Sequence, residues 1–303
     1  MTAATSPPPP VPRHAATVIL LREQAGEPQV LMIRRHENLA FMGGLWVFPG
    51  GSLAAADSAV AATVIARGQG RATSASLRDL RGNALSQHEC VALAVTACRE
   101  AFEETGVLLA THVDGRACAA EVTARLQHER PGITADAQQF AQLLEREQLV
   151  PDTARLVYWA HWITPSTGPR RFDTRFFAVA VAPDQTATVD AMEAVEHAWM
   201  STGSLLDAAR RGAMPIAQPT LYNLEELDAS LRQHGSLQGM LAAENGRDVV
   251  PILPKMYLEG GRRVIVMPWD VDYAATPGES APADIEYPER LRTLRPRASS
   301  ERG

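Results

Sequence analysis

Three glutamates close an alanine-rich run in the stretch "ACREAFEETGV": Glu100, Glu103 and Glu104. At spacing i, i+3 and i+4 they share one face of an α-helix. That placement is unfavourable twice, because like charges repel one turn apart and the helix C-terminus already carries the negative end of the macrodipole. Each effect is worth about 0.3 to 1 kcal/mol, and a bound cation relieves both. A hard divalent ion such as Mg2+ takes oxygen ligands and completes its shell with water and phosphate oxygens. Spacing alone favours a solvated acidic face, since acidic clusters are common on exposed helices. The upstream turn "FPGGS", in which Gly50 and Gly51 allow backbone to approach a phosphate closely, favours the cation.

The elements that must position these residues are legible around them. Ser86 followed by Glu89 matches a capping box, and Gly106 suits a left-handed stop, so the acidic helix is predicted over 87–105. The runs 15–22 and 29–35 read as a β-hairpin, "LWVF" as a short strand, and 156–164, 175–181 and 194–201 as further strands. Helices are expected within 58–68, 116–130, 135–149, 201–212 and 219–235, and a second hairpin around Gly260-Gly261. Strands and helices mix without strict alternation, which predicts an α/β (α+β) fold with a mixed sheet. Tyr158, Trp159 and Trp162 read as core, and Cys90, Cys98 and Cys118, with no C-x-x-C pair, as free thiols.

Composition narrows the function. Of 303 residues 46% are hydrophobic, enough for a core, and 29 Lys and Arg against 35 Asp and Glu argue against bulk nucleic-acid binding. No run approaches a membrane span, and the expected setting is the cytoplasm. Pro7 to Pro10 suggest a disordered tail over 1–12, and a Pro-, Ser- and Arg-rich end suggests a flexible tail over 276–303. A single domain is expected over 13–275, with inserts at about 58–85 and 115–150.

The run Arg99-Glu100-Ala101-Phe102-Glu103-Glu104-Thr105-Gly106-Val107 resembles the second half of the Nudix box, G-x5-E-x7-R-E-U-x-E-E-x-G-U, with U an apolar residue. Counted from Gly51, Asp57 stands where that family has its first glutamate, and the arginine due at position 65 is Arg99, across an insertion of 34 residues. An insertion inside the box is a feature of one Nudix branch, similar to the peroxisomal coenzyme A diphosphatase of mammalian kidney. The stretches "RRHENLAFMGGLWVFPGGSLAAAD", "WITPSTGPRRFDTRFFAVAV" and "VEHAWMSTGSLLDAARRG" look like that branch too, so the resemblance spans roughly residues 13–230.

The resemblance implies a Nudix-type α/β/α sandwich and Mg2+- or Mn2+-dependent cleavage of a small-molecule nucleoside diphosphate derivative. It implies Glu100, Glu103 and Glu104 as metal ligands, with one of them or a later glutamate activating water, and Arg99 holding a carboxylate of the box. Gly50 is expected to lend a carbonyl to the metal, and Gly51 to admit close packing beside the substrate. Substrate contacts are expected from Arg34, Arg35, Arg171 and Arg175, although Asp173 offers one of the later arginines a structural partner instead. Asp57, Glu193 and Glu196 are candidate additional acids. The first reading is hydrolysis of coenzyme A or acyl-coenzyme A to 3′,5′-ADP and (acyl-)phosphopantetheine. ADP-ribose, NADH or capped RNA as substrate, and a non-catalytic ligand-sensing domain, are the alternatives. The inserts leave a lid or a homodimer interface open.

Overall fold

In the computed structural model, which describes residues 9–69, 77–183, 185–189 and 193–294, the acidic helix lies across one face of a mixed sheet. Residues 1–8 of the expected leading tail, 70–76 of the first insert and 295–303 lie outside the described residues. The strand β1 (Arg13–Gln24) turns through Ala25 and Gly26, both at positive φ, into the antiparallel β2 (Glu27–Arg35). Next come β3 (Trp46–Val47), β4 (Gly50–Ser52), α1 (Ala55–Ala66) and the acidic helix α2 (Gln87–Thr105). The second insert runs from β5 (Ala110–His112) through α3 (Ala120–Leu126), α4 (Arg130–Ala135) and α5 (Gln138–Arg146) to β6 (Leu149–Pro151), which pairs back onto β5. The chain continues as β7 (Val157–Ile163), β8 (Phe172–Ala180), β9 (Ala194–Met200), α6 (Thr202–Arg210), α7 (Gln218–His234) and α8 (Leu237–Glu244). It ends in β10 (Pro251–Ile252), the hairpin β11 (Lys255–Glu259) and β12 (Arg262–Val266), and α9 (Glu289–Arg292).

The sheet order is β10-β7-β8-β1-β2-β3, with β4 also on β1 and β9 also on β2. β1 runs parallel to β8 and antiparallel to β2, so the sheet is mixed. Alternation along the strands decides what each face covers. Val18 and Leu20 of β1 with Phe177 and Val179 of β8 meet Leu93, Ala94, Ala97 and Ala101 of α2. Ile19, Leu21, Phe176 and Ala178 point the other way, to Leu205 of α6, Leu224 and Leu227 of α7 and Met240 of α8. The result is an α/β/α sandwich, as expected.

The acidic helix begins and stops where its sequence predicts. Ser86 and Glu89 make both bonds of the capping box, and Gly106, at φ +72°, donates its N–H to the Phe102 carbonyl. A second layer of helices covers its outer side. Ala61 and Val64 of α1 pack on Val91, Ala92 and Val95, while Leu126, Ile133 and Phe140 of the second insert pack around Phe102.

Three expectations need correction. β8 begins at Phe172, three residues early, because Phe172 pairs with Arg13 in the parallel ladder. The helix expected over 116–130 breaks after Leu126 into a 3-10 turn, and α4 restarts with Pro131 in its first turn. The tail expected from 276 packs on the body as far as it is described. Tyr287 and Leu291 enter the main core, Tyr287 Oη donates to the Pro251 carbonyl at 3.1 Å, and Arg290 pairs with Glu226 at 2.9 Å. Those few apolar residues sit among prolines and charges without a period, so no pattern announces them.

Candidate active site

α2 presents Glu100, Glu103 and Glu104 at its last turns, and Arg99 organises two of them. Its Nη1 donates to Glu100 Oε1 at 2.8 Å and to Glu103 Oε2 at 2.9 Å. The other edge of the same guanidinium grips Asp57 in a fork, Nε to Oδ1 at 2.8 Å and Nη2 to Oδ2 at 2.9 Å. Asp57, 1% exposed, also accepts from Thr96 Oγ1 and from the Ala54 amide, both at 2.9 Å. It therefore sits at the start of α1 facing Arg99, holding the arginine that holds the two glutamates.

The turn "FPGGS" comes close enough for its glycines to matter. A Cβ on Gly51 would lie 2.4 Å from Glu100 Oε1, and one on Gly50 would meet the Ala16 carbonyl at 2.6 Å and Thr17 Cα at 2.7 Å. Gly50 meets the cluster through its amide, which donates to Glu104 Oε2 at 2.8 Å. Arg35 lies 3.6 Å from Glu104 Oε1, and its buried Nε has no hydrogen-bond partner.

The electrostatics follow from crowding acids into a dry place. Burial, then the neighbouring Glu100, push Glu103 up to about 8. Burial likewise raises Glu100, against the pull of Arg99, and raises Glu104 well above the usual carboxylate range, with Glu100 adding to it. The charge of Glu193 also bears on Glu100 and Glu104. Arg99 and Arg35 are thus outnumbered by five acids, counting Asp57 and Glu193.

The donor set suits a hard divalent cation. Among the described residues no three acidic, His or Cys side chains form a ready-made cage, and Arg99 and the Gly50 amide occupy one oxygen of each glutamate. Yet Glu103 Oε1 is buried without a partner, a costly condition for a carboxylate oxygen and one that a cation resolves.

The remaining candidates divide. Arg34 and Glu196, 3.6 Å apart, face away from the carboxylates into a cavity of about 530 Å³ lined also by Glu37, Trp46, Met200 and Met214. Arg34 and Arg35 are consecutive on β2, so one strand end borders both the cluster and the cavity. Arg171 and Arg175, expected on phosphates, are structural. Arg171 bonds the Thr164 and Pro10 carbonyls and Glu279. Arg175 is fully buried, pairs with Asp173 at 2.8 Å and donates to the Arg78 carbonyl ahead of α2. It also bears on Cys90 in the first turn of α2, roughly 15 Å of helix rise from Glu100. Asp173 binds His161 Nε2 at 2.5 Å as well, and burial followed by Arg175 lowers that histidine to about 4.

Two participants escaped the sequence reading. Thr96, three residues before Arg99 on an otherwise apolar helix, carried a faint signal in its hydroxyl. Arg130, in the second insert, carried none, since only the fold brings it to α2.

The family model described as the NUDT19 Nudix domain matches residues 12–227. The human acyl-coenzyme A diphosphatase NUDT19 is 28% identical over 267 residues, covering 75% of this chain and 71% of that protein. The protein of that name from Xenopus laevis is 27% identical over 66% of this chain and 59% of its own length. A putative nudix hydrolase 7 from Caenorhabditis elegans is 27% identical over 71% of this chain and 60% of its own. A crystal structure of a NUDIX hydrolase from Alicyclobacillus acidocaldarius superposes with a TM-score of 0.59 at 27% identity, covering 72% of this chain and 92% of that one.

Proposed function

The chain belongs to the NUDT19 Nudix domain family and is a hydrolase of phosphorus anhydrides, and from that premise we propose that it cleaves the diphosphate of coenzyme A or acyl-coenzyme A, using Mg2+ or Mn2+ held by Glu100, Glu103 and Glu104. The observation that carries the site is the partnerless buried oxygen of Glu103 among three carboxylates raised by burial. The metal, when bound, neutralises diphosphate charge and acidifies a water.

The protein's own groups supply order. Asp57 locks the plane of Arg99, and Arg99 holds Glu100 and Glu103 in one orientation. Glu103 Oε1 is the oxygen left for the metal or for the proton of the attacking water. Arg35, whose Nη1 lies 3.6 Å from Glu104, would bond a phosphoryl oxygen through its exposed edge. The cavity at the far side of β2 is large enough for one arm of the substrate. Arg34 there lies between Glu37 and Glu196, and its neutralised charge suits an amide or thioester arm better than the 3′-phosphate.

The deciding experiment compares coenzyme A, an acyl-coenzyme A, ADP-ribose and NADH with Mg2+ and with Mn2+, products resolved by mass. The proposal expects 3′,5′-ADP and (acyl-)phosphopantetheine at the highest kcat/KM. Faster cleavage of ADP-ribose or NADH would reassign the substrate, and binding without cleavage of any compound would leave a sensing domain.

A further inference from the structure

The peptide that links Glu103 to Glu104 is gripped from outside by the second insert, and we propose that Arg130 of that insert is a positioning residue for both carboxylates. The inference rests on the reading of these carboxylates as a divalent-metal site. The last carbonyls of a helix have no intrahelical partner. That of Glu103 receives two donors from Arg130, Nε at 3.0 Å and Nη2 at 2.8 Å. The third arm, Nη1, donates to Thr188 Oγ1 at 2.6 Å, and the Thr188 amide donates to the Thr105 carbonyl at 2.8 Å.

Arg130 is 5% exposed, so these charge-assisted bonds act where little water competes. Its charge also lies at the helix terminus that favours a cation, beside acids that need one. The turn has little freedom to settle elsewhere. A Cβ on Gly106 would touch Gln127 Nε2 at 3.1 Å and Thr188 Oγ1 at 3.2 Å, and Phe102 is wedged among Leu126, Ile133 and Phe140. Because the gripped carbonyl belongs to the peptide joining the two glutamates, its orientation sets the direction of both side chains together. The insert thus serves as a brace for the carboxylate turn.

The test is calorimetric Mn2+ binding to the full-length protein, alongside thermal unfolding, for wild type, R130Q and R130K. R130Q is expected to bind Mn2+ about 10- to 100-fold more weakly, the usual cost of removing a group that orients ligands. R130K, a point charge in place of a fork, is expected to fall between, and it carries the comparison if R130Q does not fold. Mn2+ affinity within twofold of wild type in either folded variant, with only Tm lowered, would overturn the proposal. A wild-type protein that binds no Mn2+ would overturn the metal-site reading itself, and this inference with it.

Discussion

Replacing Asp57 by alanine separates a residue that positions Arg99 from an ordinary surface acid. The substitution removes four acceptor contacts, from Arg99 Nε and Nη2, Thr96 Oγ1 and the Ala54 amide. It leaves a guanidinium that is itself 4% exposed without its forked partner. Breaking a buried ion pair on one side costs roughly 3 to 5 kcal/mol. At about 2 to 4 °C per kcal/mol for a domain of this size, Tm should fall by about 6 to 20 °C. Loss of the fork also frees Arg99 to turn toward Glu100 and Glu103, so kcat/KM with Mg2+ should drop about 10- to 100-fold in the molecules that remain folded. Asp57→Glu, the residue the Nudix box carries there, should recover most of the activity. Scanning fluorimetry and steady-state kinetics on the three proteins measure both effects. A Tm within 2 °C of wild type for D57A, with unchanged kcat/KM, would refute the coupling of α1 to the carboxylates through Arg99.

Two further predictions concern the same cluster. Glu103 keeps its proton in the native state up to about pH 8, whereas the unfolded chain releases it near the ordinary carboxylate value. The metal-free protein should therefore lose stability as pH rises toward 8. His161, buried and lowered to about 4, acts in the opposite sense but only below its unfolded value near 6.5. Tm in EDTA is thus expected to decline from about pH 6.5 to about pH 8, to decline less in E103Q, and to be restored by Mn2+; a flat or rising profile would contradict the placement of Glu103. The two glycines should separate by readout. G51A drives a Cβ into the Glu100 carboxylate and should cost at least about 10-fold in activity with little change in Tm, whereas G50A drives one into the backbone of Ala16 and Thr17 and should lower Tm first.

What the sequence could and could not show has physical causes. The acidic helix was legible to the residue because capping box, helix propensity and C-cap glycine are all local signals, and the mixed sheet followed from alternation in β1 and β2. The resemblance to the Nudix family, carried by the nine-residue run of the box and by three further stretches, was borne out by the family match. Arg175 misled because an arginine beside a strand looks the same whether it meets a phosphate or a buried aspartate. Only the pairing of β7 with β8, which sets His161 opposite Arg175 and Ile163 opposite Asp173, shows which. Asp57 looked stranded across a 34-residue insertion, but α1 packs on α2 and delivers the carboxylate to Arg99. Arg130 had no local signature, since its role depends on a carbonyl left bare by the end of another helix.

The most direct test of the central claim is the rate at which purified full-length protein, with Mg2+, converts coenzyme A to 3′,5′-ADP, compared between wild type and E104Q after both are shown to have native Tm. Metal-dependent hydrolysis at the α2 carboxylates predicts turnover that vanishes in EDTA and falls at least about 100-fold in E104Q. An E104Q rate within twofold of wild type, or turnover indifferent to EDTA, would contradict it.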